Sequence, residues 1–315
     1  MTHALDTAAK PERGASSDLV LFALPSFIWG TTWLAIKSQL GVVEPEVSVA
    51  WRFALASLIL LGWCLLRGIP LRFGGRDHGR LALLGLLLFG LNYVLVYRSE
   101  QHLTSGLVSV LFAFLVFWNL LGARLFFRAP APRAVILGAV LGVAGVGLLF
   151  WPEVTSLRAG PDQGLGIALA MAATVVASAG NLYSQRVFAS GIAVVPGTAV
   201  AMGYAALAVM GYCTVMRVPF AFDPKPAYVL SLIYLSLLGS VVAFVSFLTV
   251  LKRIGAGRSG YIAAVIPVVA MLASTLFEGY RWSAAALAGL VLVLAGTVLV
   301  LTVKERAARS ASAGR

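Results

Sequence analysis

Apolar runs of roughly twenty residues, separated by short polar breaks, recur from Leu19 to Val303, and about twenty residues is what an α-helix needs to cross the hydrocarbon of a bilayer. This pattern predicts helices over 19–37, 48–67, 81–98, 104–125 and 134–151, then over 164–186, 196–216, 228–251, 258–277 and 284–303. The narrowest break is Arg98-Ser99-Glu100-Gln101-His102. Fusing the helices on either side of it would give one rod far too long for a bilayer, so ten spans are kept.

Sliding the chain against itself reveals a duplication. Ser105-Gly106 matches Ser259-Gly260, Gly85 matches Gly239 and Tyr93 matches Phe247, all at an offset of 154; Gly138 and Gly145 match Gly289 and Gly296 after a three-residue gap. Each copy holds five helices. Five is odd, so the second copy enters the membrane from the opposite side, the architecture on which many secondary transporters are built. The expected fold is all-α: a polytopic membrane protein with ten transmembrane helices as two inverted five-helix repeats and both termini cytoplasmic. Its expected parts are a tail (1–18), a first repeat (19–152), an outer linker (153–163), a second repeat (164–303) and a C-terminal tail (304–315).

Composition agrees. The 315 residues are 60% hydrophobic and 11% charged, too little polar surface to cover a water-soluble core. The net charge of +12 is a topology signal, because the basic residues cluster at the ends of apolar runs and form no continuous face for nucleic acid. Seventeen of the 24 fall in the tails and loops that the N-inside arrangement puts in the cytoplasm, so a bacterial inner membrane is the expected location. The first 18 residues are polar and lack a cleavage site, so the first helix is expected to remain. Cys64 and Cys213 lie in apolar runs and read as small buried side chains.

The residues of these spans resemble a known family. The first reads Trp29-Gly30-Thr31-Thr32-Trp33-Leu34-Ala35-Ile36-Lys37, the second carries Arg52-Phe53, and the ninth combines Ser259-Gly260 with Pro267 and a terminal Glu278, followed by Gly289 and Gly296 in the tenth. These are similar to the EamA-type ten-helix exporters of the drug/metabolite transporter superfamily. The resemblance implies export of metabolites, with the aromatic amino acid exporters of that superfamily as the nearest group. The first copy departs from the repeat: Ala113 stands where proline is expected and Arg124 where glutamate is expected.

Chemistry narrows the cargo. All twelve acidic residues lie in tails, loops or helix ends, which disfavours a mid-membrane proton relay and a pump for cationic drugs. Only Arg52 is a basic residue within a span, which disfavours multiply anionic cargo. Neutral or zwitterionic small molecules remain, aromatic or other neutral amino acids first among them. Export of hydrophobic drugs or lipids is the alternative, and an integral membrane enzyme acting on lipid is a third reading, for which no convergent catalytic set is present. Arg52 reads first as a side chain snorkelling toward Glu44 or Glu46 and second as a charge contact for a substrate carboxylate.

Polar and aromatic side chains at helix centres turn inward, because hydrocarbon offers them no partner. The expected substrate-binding set is Trp29, Thr32, Asn92, Tyr93, Tyr97, Trp118, Asn119, Ser178, Asn181, Tyr204, Ser246 and Tyr261, each with packing or interhelical hydrogen bonding as the competing role. Tyr93 and Tyr97 share a face and suit an aromatic ring. Pro267 removes the hydrogen bond to Ala263 and is a hinge candidate, with a static kink as the alternative. No catalytic residue, metal site or cofactor is expected: His3, His78 and His102 are scattered, and no nucleotide-binding loop is present. The expected partners are a small-molecule substrate and the lipid bilayer, with neither nucleic acid nor an obligate protein partner.

Overall fold

The computed structural model describes residues 15–127, 133–149, 151, 161–247 and 262–313. Its helices are α1 (Ala15–Lys37), α2 (Pro45–Leu66), α3 (Gly75–Gly85), α4 (Asn92–Glu100), α5 (Ser105–Phe112), α6 (Leu115–Phe127), α7 (Arg133–Leu149), α8 (Pro161–Ala189), α9 (Val194–Val215), α10 (Pro226–Tyr234), α11 (Ile262–Phe277) and α12 (Ala284–Ala313). Widened π-helical turns, Leu86–Leu91 and Leu235–Val242, join α3 to α4 and extend α10. Six of the resulting rods are long and apolar enough to cross a bilayer, and further apolar helices lie within 136–149, 265–277 and 284–299. Large side chains such as Leu58, Leu66, Leu125, Leu207 and Leu276 point outward, as lipid-facing residues do. The tenth helix continues to Ala313, well past the span expected to end at 303.

Local sequence explains the boundaries. Pro45 and Pro226 open α2 and α10, where a missing N–H costs nothing and the fixed φ favours the first turn. After α2 the chain reverses at Gly68 with φ +63°, and after α9 at Arg217 with φ +55°. In both turns the next residue hydrogen-bonds back across the reversal, Ile69 to the Cys64 carbonyl and Val218 to the Cys213 carbonyl, each at 2.8 Å.

The backbone revises the register of the duplication. α2 starts at Pro45 and α9 at Val194, and the π-turns start at Leu86 and Leu235, an offset of 149 in both cases. Gly239 therefore corresponds to Gly90, and the pairings of Gly85 with Gly239 and Tyr93 with Phe247 are displaced by five residues. An offset of 154 fits only further along the chain. There the sequence departure at Ala113 leaves the backbone analogous: a tight turn at Ala113-Phe114 interrupts the fourth span, as Pro267 interrupts hydrogen bonding in the ninth. Ser259-Gly260 lies outside the described residues.

Helix contacts come in matched sets. α2 packs on α9 and α7 on α12; α1 meets α11 as α8 meets α5 and α6; the α3–α4 rod meets α8 and α9 as the α10 rod meets α1 and α2. At the α7–α12 seam a Cβ on Gly145 would stand 2.6 Å from the Gly289 carbonyl oxygen, and one on Gly289 would stand 2.5 Å from that of Gly145. The backbones meet directly there, as small-residue faces allow in lipid.

Candidate functional site

Arg52 is fully buried in α2, about 10 Å beyond Pro45 at about 1.5 Å per residue. It does not snorkel. Arg98 takes Glu46 in a two-pronged ion pair, Nε to Oε1 and Nη2 to Oε2 at 2.9 Å each, and lies 3.7 Å from Glu44. Because helix α2 begins three residues before the expected 48, Arg52 sits deeper than its sequence position suggested, and the acids are already occupied. Its Nε–H donates to Ser240 Oγ at 3.2 Å, and Ser236 Oγ donates to the Arg52 carbonyl at 3.1 Å, which ties α2 to the second π-turn. The guanidinium lies over the Tyr93 ring at 4.4 Å and the Phe53 ring at 5.2 Å.

From Arg52 a circuit of contacts runs through both halves and closes. Tyr93 meets Phe53 at 4.9 Å between centroids, Phe53 meets Phe89 at 5.3 Å, Phe89 meets Phe244 at 5.2 Å and Phe244 meets Trp29 at 5.2 Å. Trp29 Nε1–H donates to the Gly239 carbonyl at 3.1 Å, next to Ser240 and hence back to Arg52. The aromatic pairs sit in the edge-on and tilted geometries that ring quadrupoles favour. The π-turns serve this circuit: their widened backbone is the kind of local irregularity that recurs at functional sites, and one of them exposes the carbonyl that Trp29 uses. Thr32 borders the same place, since a Cβ on Gly239 would lie 2.8 Å from Thr32 Cγ2 and 3.4 Å from Arg52 Nη2.

Of the expected site residues, Trp29, Thr32, Tyr93 and Arg52 thus meet. Tyr97 is fully buried beside them, donating to Gln39 Oε1 at 2.7 Å. Asn92 is buried at the π-turn, its amide donating to the Leu88 carbonyl at 3.2 Å while its oxygen has no partner among the described residues. Tyr204 does not join them: its hydroxyl pairs with His78 Nδ1 at 2.9 Å, at the start of α3 and thus at the far end of the bundle from Glu100. Trp118 and Asn119 on α6 and Ser178 and Asn181 on α8 belong to a second pair of helices that pack together; Trp118 Nε1 and Asn119 Oδ1 are buried without partners among the described residues. Ser246 is buried beyond the second π-turn, and Pro267 is buried in α11. Tyr261 lies outside the described residues.

Sequence reasoning missed Gln39, Phe53, Phe89, Gly239, Ser240 and Phe244. Serine and phenylalanine carry no signal in an apolar helix, and Gly239 stood out only as a repeat marker. The absence of mid-helix acids also needs one refinement. Glu100 ends α4, yet it is wholly buried and neither carboxyl oxygen has a hydrogen-bond partner among the described residues. Lys37 Nζ bonds the Glu100 backbone carbonyl and, at 3.0 Å, that of Leu103. Glu278 receives the Ser105 backbone N–H, at 3.2 Å to each oxygen, and the Ser105 hydroxyl. Among the described residues no cluster of three or more histidines, cysteines or acids could hold a metal, and both cysteines are free and buried.

Apolar rods with leucine outside and polar side chains between them define a multi-pass membrane protein. Comparison with known families specifies which kind. The model described as the EamA-like transporter family matches residues 17–151 and again 164–302, and the chain belongs to that family. Membership makes it a membrane transporter, and its relatives are named as transporters, one of them as an inner membrane transporter. It is 27% identical over 281 residues to the "Uncharacterized inner membrane transporter YedA" of Escherichia coli K12, covering 89% of both chains. It is 24% identical over 309 residues to the "Uncharacterized transporter YvbV" of Bacillus subtilis, covering 94% of both, and 22% identical over 290 residues to "Protein PagO" of Salmonella typhimurium, covering 91% of this chain and 93% of that one. A solved crystal structure 20% identical in sequence superposes with a TM-score of 0.64, covering 90% of this chain and 97% of that one; this likeness concerns the fold.

Proposed function

We propose that the chain is a secondary transporter that exports small neutral or zwitterionic metabolites, aromatic or other neutral amino acids first, by alternating access between two five-helix halves of opposite orientation. The halves are residues 19–152 and 164–303, and the termini lie in the cytoplasm. The observation that carries the reading is the closed aromatic circuit through Trp29, Phe53, Phe89, Tyr93 and Phe244, which draws on both halves and contains no acid. Stacked ring edges and faces match an aromatic or flat apolar body. The matched helix contacts support the inverted relation, since exchanging the halves maps the contacts between them onto one another, and the two family matches divide the chain near the same place. Such a pair of similar packings can exchange at low cost, which is what alternating access requires.

Pro267 and the Ala113-Phe114 turn interrupt the two helices that pack together between the halves, α11 and the α5–α6 rod, and are the hinge pair in this scheme. Pro267→Ala restores one backbone bond and stiffens α11. The expected outcome is slower flux with substrate affinity within about twofold; unchanged flux at equal expression removes the hinge role. The function itself is tested in vesicles loaded with labelled phenylalanine, tyrosine, leucine or lysine. Efflux of the neutral members above that of protein-free vesicles, and none of lysine, is the expected result. Flux of bulky lipophilic compounds with indifference to every amino acid would favour the drug or lipid alternative instead.

A further inference from the structure

We propose that Arg52 is an anchor for a carboxylate, and that the site therefore selects small monocarboxylates with an apolar or aromatic body whether or not they carry an amine. This rests on the transporter reading above and specifies the cargo of the same site. A guanidinium stays protonated in any protein setting, so burial leaves Arg52 charged. Yet its partners satisfy only one edge. Nε–H goes to Ser240, while Nη1 and Nη2 are buried with no hydrogen-bond partner among the described residues. An unpaired buried charge is among the costliest features a fold can hold, and such a feature points to a missing counter-ion.

Among the described residues no carboxylate hydrogen-bonds the fork. Glu44 and Glu46 are engaged by Arg98. The buried Glu100 carboxyl feels the charges of both Lys37 and Arg52, yet neither of its oxygens hydrogen-bonds the fork. Aromatic rings, a serine and a glycine surround the fork. Tyr93 and Phe53 lie against its faces, Ser240 fixes its inner edge, and Gly239 presents no Cβ where one would stand 3.4 Å from Nη2. The outer edge of an arginine fork matches the two oxygens of a carboxylate in a two-pronged pair. Beside it, the rings of Phe89, Phe244 and Trp29 offer an apolar body its place. The circuit holds no carboxylate for an ammonium group, and the Gly239 carbonyl is already taken by Trp29. The carboxylate is thus the required group and the amine a dispensable one.

The test is calorimetric titration of the purified full chain in lipid nanodiscs with three probes of similar size: L-phenylalanine, 3-phenylpropionate and its neutral isostere 3-phenylpropionamide. Both acids should bind at least about tenfold more tightly than the amide, since a charge-assisted pair is worth about 10- to 100-fold. Arg52→Gln should weaken both acids by that factor and leave the amide unchanged; Arg52→Lys, a cation without the fork, should fall between. Amide binding equal to that of the acids, or unchanged acid binding in a folded R52Q protein, overturns the inference and leaves the transporter reading intact. Arg52-dependent binding of 3-phenylpropionate without binding of phenylalanine sustains the inference and removes the amino-acid reading. Binding of neither acid overturns the inference. If R52Q does not fold, the acid-to-amide ratio in the unaltered protein decides.

Discussion

Gly289→Ala is the perturbation whose size the structure determines best. Helices α7 and α12 meet backbone to backbone, and the added methyl would stand 2.5 Å from the Gly145 carbonyl oxygen, 2.6 Å from the Leu149 nitrogen and 3.0 Å from Leu149 Cα. Ordinary contact begins near 3.4 Å, so the helices must part by about 0.9 Å along this seam. The obstacle is backbone on a neighbouring helix and cannot swing aside as a side-chain tip would. Overpacking of this kind costs about 1–3 kcal/mol, from which about 1 kcal/mol is recovered because alanine favours a helix over glycine.

Gly147 provides the control within the same helix pair. It lies on α7 two residues from Gly145, and a Cβ there meets nothing within 4 Å. Gly147→Ala should gain the helix preference without the clash. Thermal unfolding of the detergent-purified proteins, followed by tryptophan fluorescence, should place G147A at or above the parent and G289A below it. At about 2 °C per kcal/mol for a chain somewhat larger than the calibrating domains, the two variants should differ by about 2–6 °C. G289A melting at or above G147A would refute the close seam and the packing argument built on it.

Two further outcomes follow from the turns and the ion pair. Arg217 holds φ +55° where the matching turn of the first half has Gly68 at φ +63°, so Arg217→Gly should raise stability by about 0.5–1 kcal/mol and Gly68→Ala should lower it by about 1 kcal/mol; a lower melting temperature for R217G would contradict this. Arg98→Ala leaves the nearly buried Glu46 carboxylate without its two-pronged partner and should cost about 1–3 kcal/mol, the half-exposed position of Arg98 keeping the loss below that of a fully buried pair. Arg98→Lys should recover part of it, and an R98A protein as stable as the parent at low salt would show that the pair contributes nothing.

The apolar helices were legible because hydrocarbon thickness imposes a length and polar breaks impose a punctuation, both of which act on composition alone. What composition did not convey was register. The offset of 149 already holds at the starts of α2 and α9 and again at both π-turns, so the matching of glycines at 154 paired Gly85 with Gly239 where the backbone pairs Gly90 with it. Tyr204 has the same sequence signature as Tyr93, an aromatic in an apolar helix, and only the neighbouring His78 separates a contact at the start of α3 from the central circuit. Ala113 illustrates the reverse, since the sequence symmetry fails there while the backbone turn persists. Arg52 combined both difficulties: its residue type marked it, but its partner depended on whether Arg98 or Arg52 reached Glu46, which is a matter of depth and direction.

The charge at Arg52 also limits cargo in the opposite sense. A cationic solute seated in the aromatic circuit would lie about 4 Å from the guanidinium, near the distance at which Tyr93 contacts it. Two like charges at about 4 Å repel by about 4 kcal/mol at an effective dielectric of about 20, close to a thousandfold loss of occupancy. The acids nearest the site offer little relief, since Glu46 is paired with Arg98 and Glu100 has Lys37 beside it. Vesicles containing the parent protein should therefore move neither tetraphenylphosphonium nor ethidium above background, whereas Arg52→Gln, with the repulsion gone and the aromatic lining intact, should admit them. The gain of cation flux in R52Q is the more demanding outcome, because a variant that merely misfolds loses transport and cannot acquire it. Robust cation efflux by the parent would mean that Arg52 is neutralised by a partner during transport, with Glu100 the buried carboxylate to substitute next.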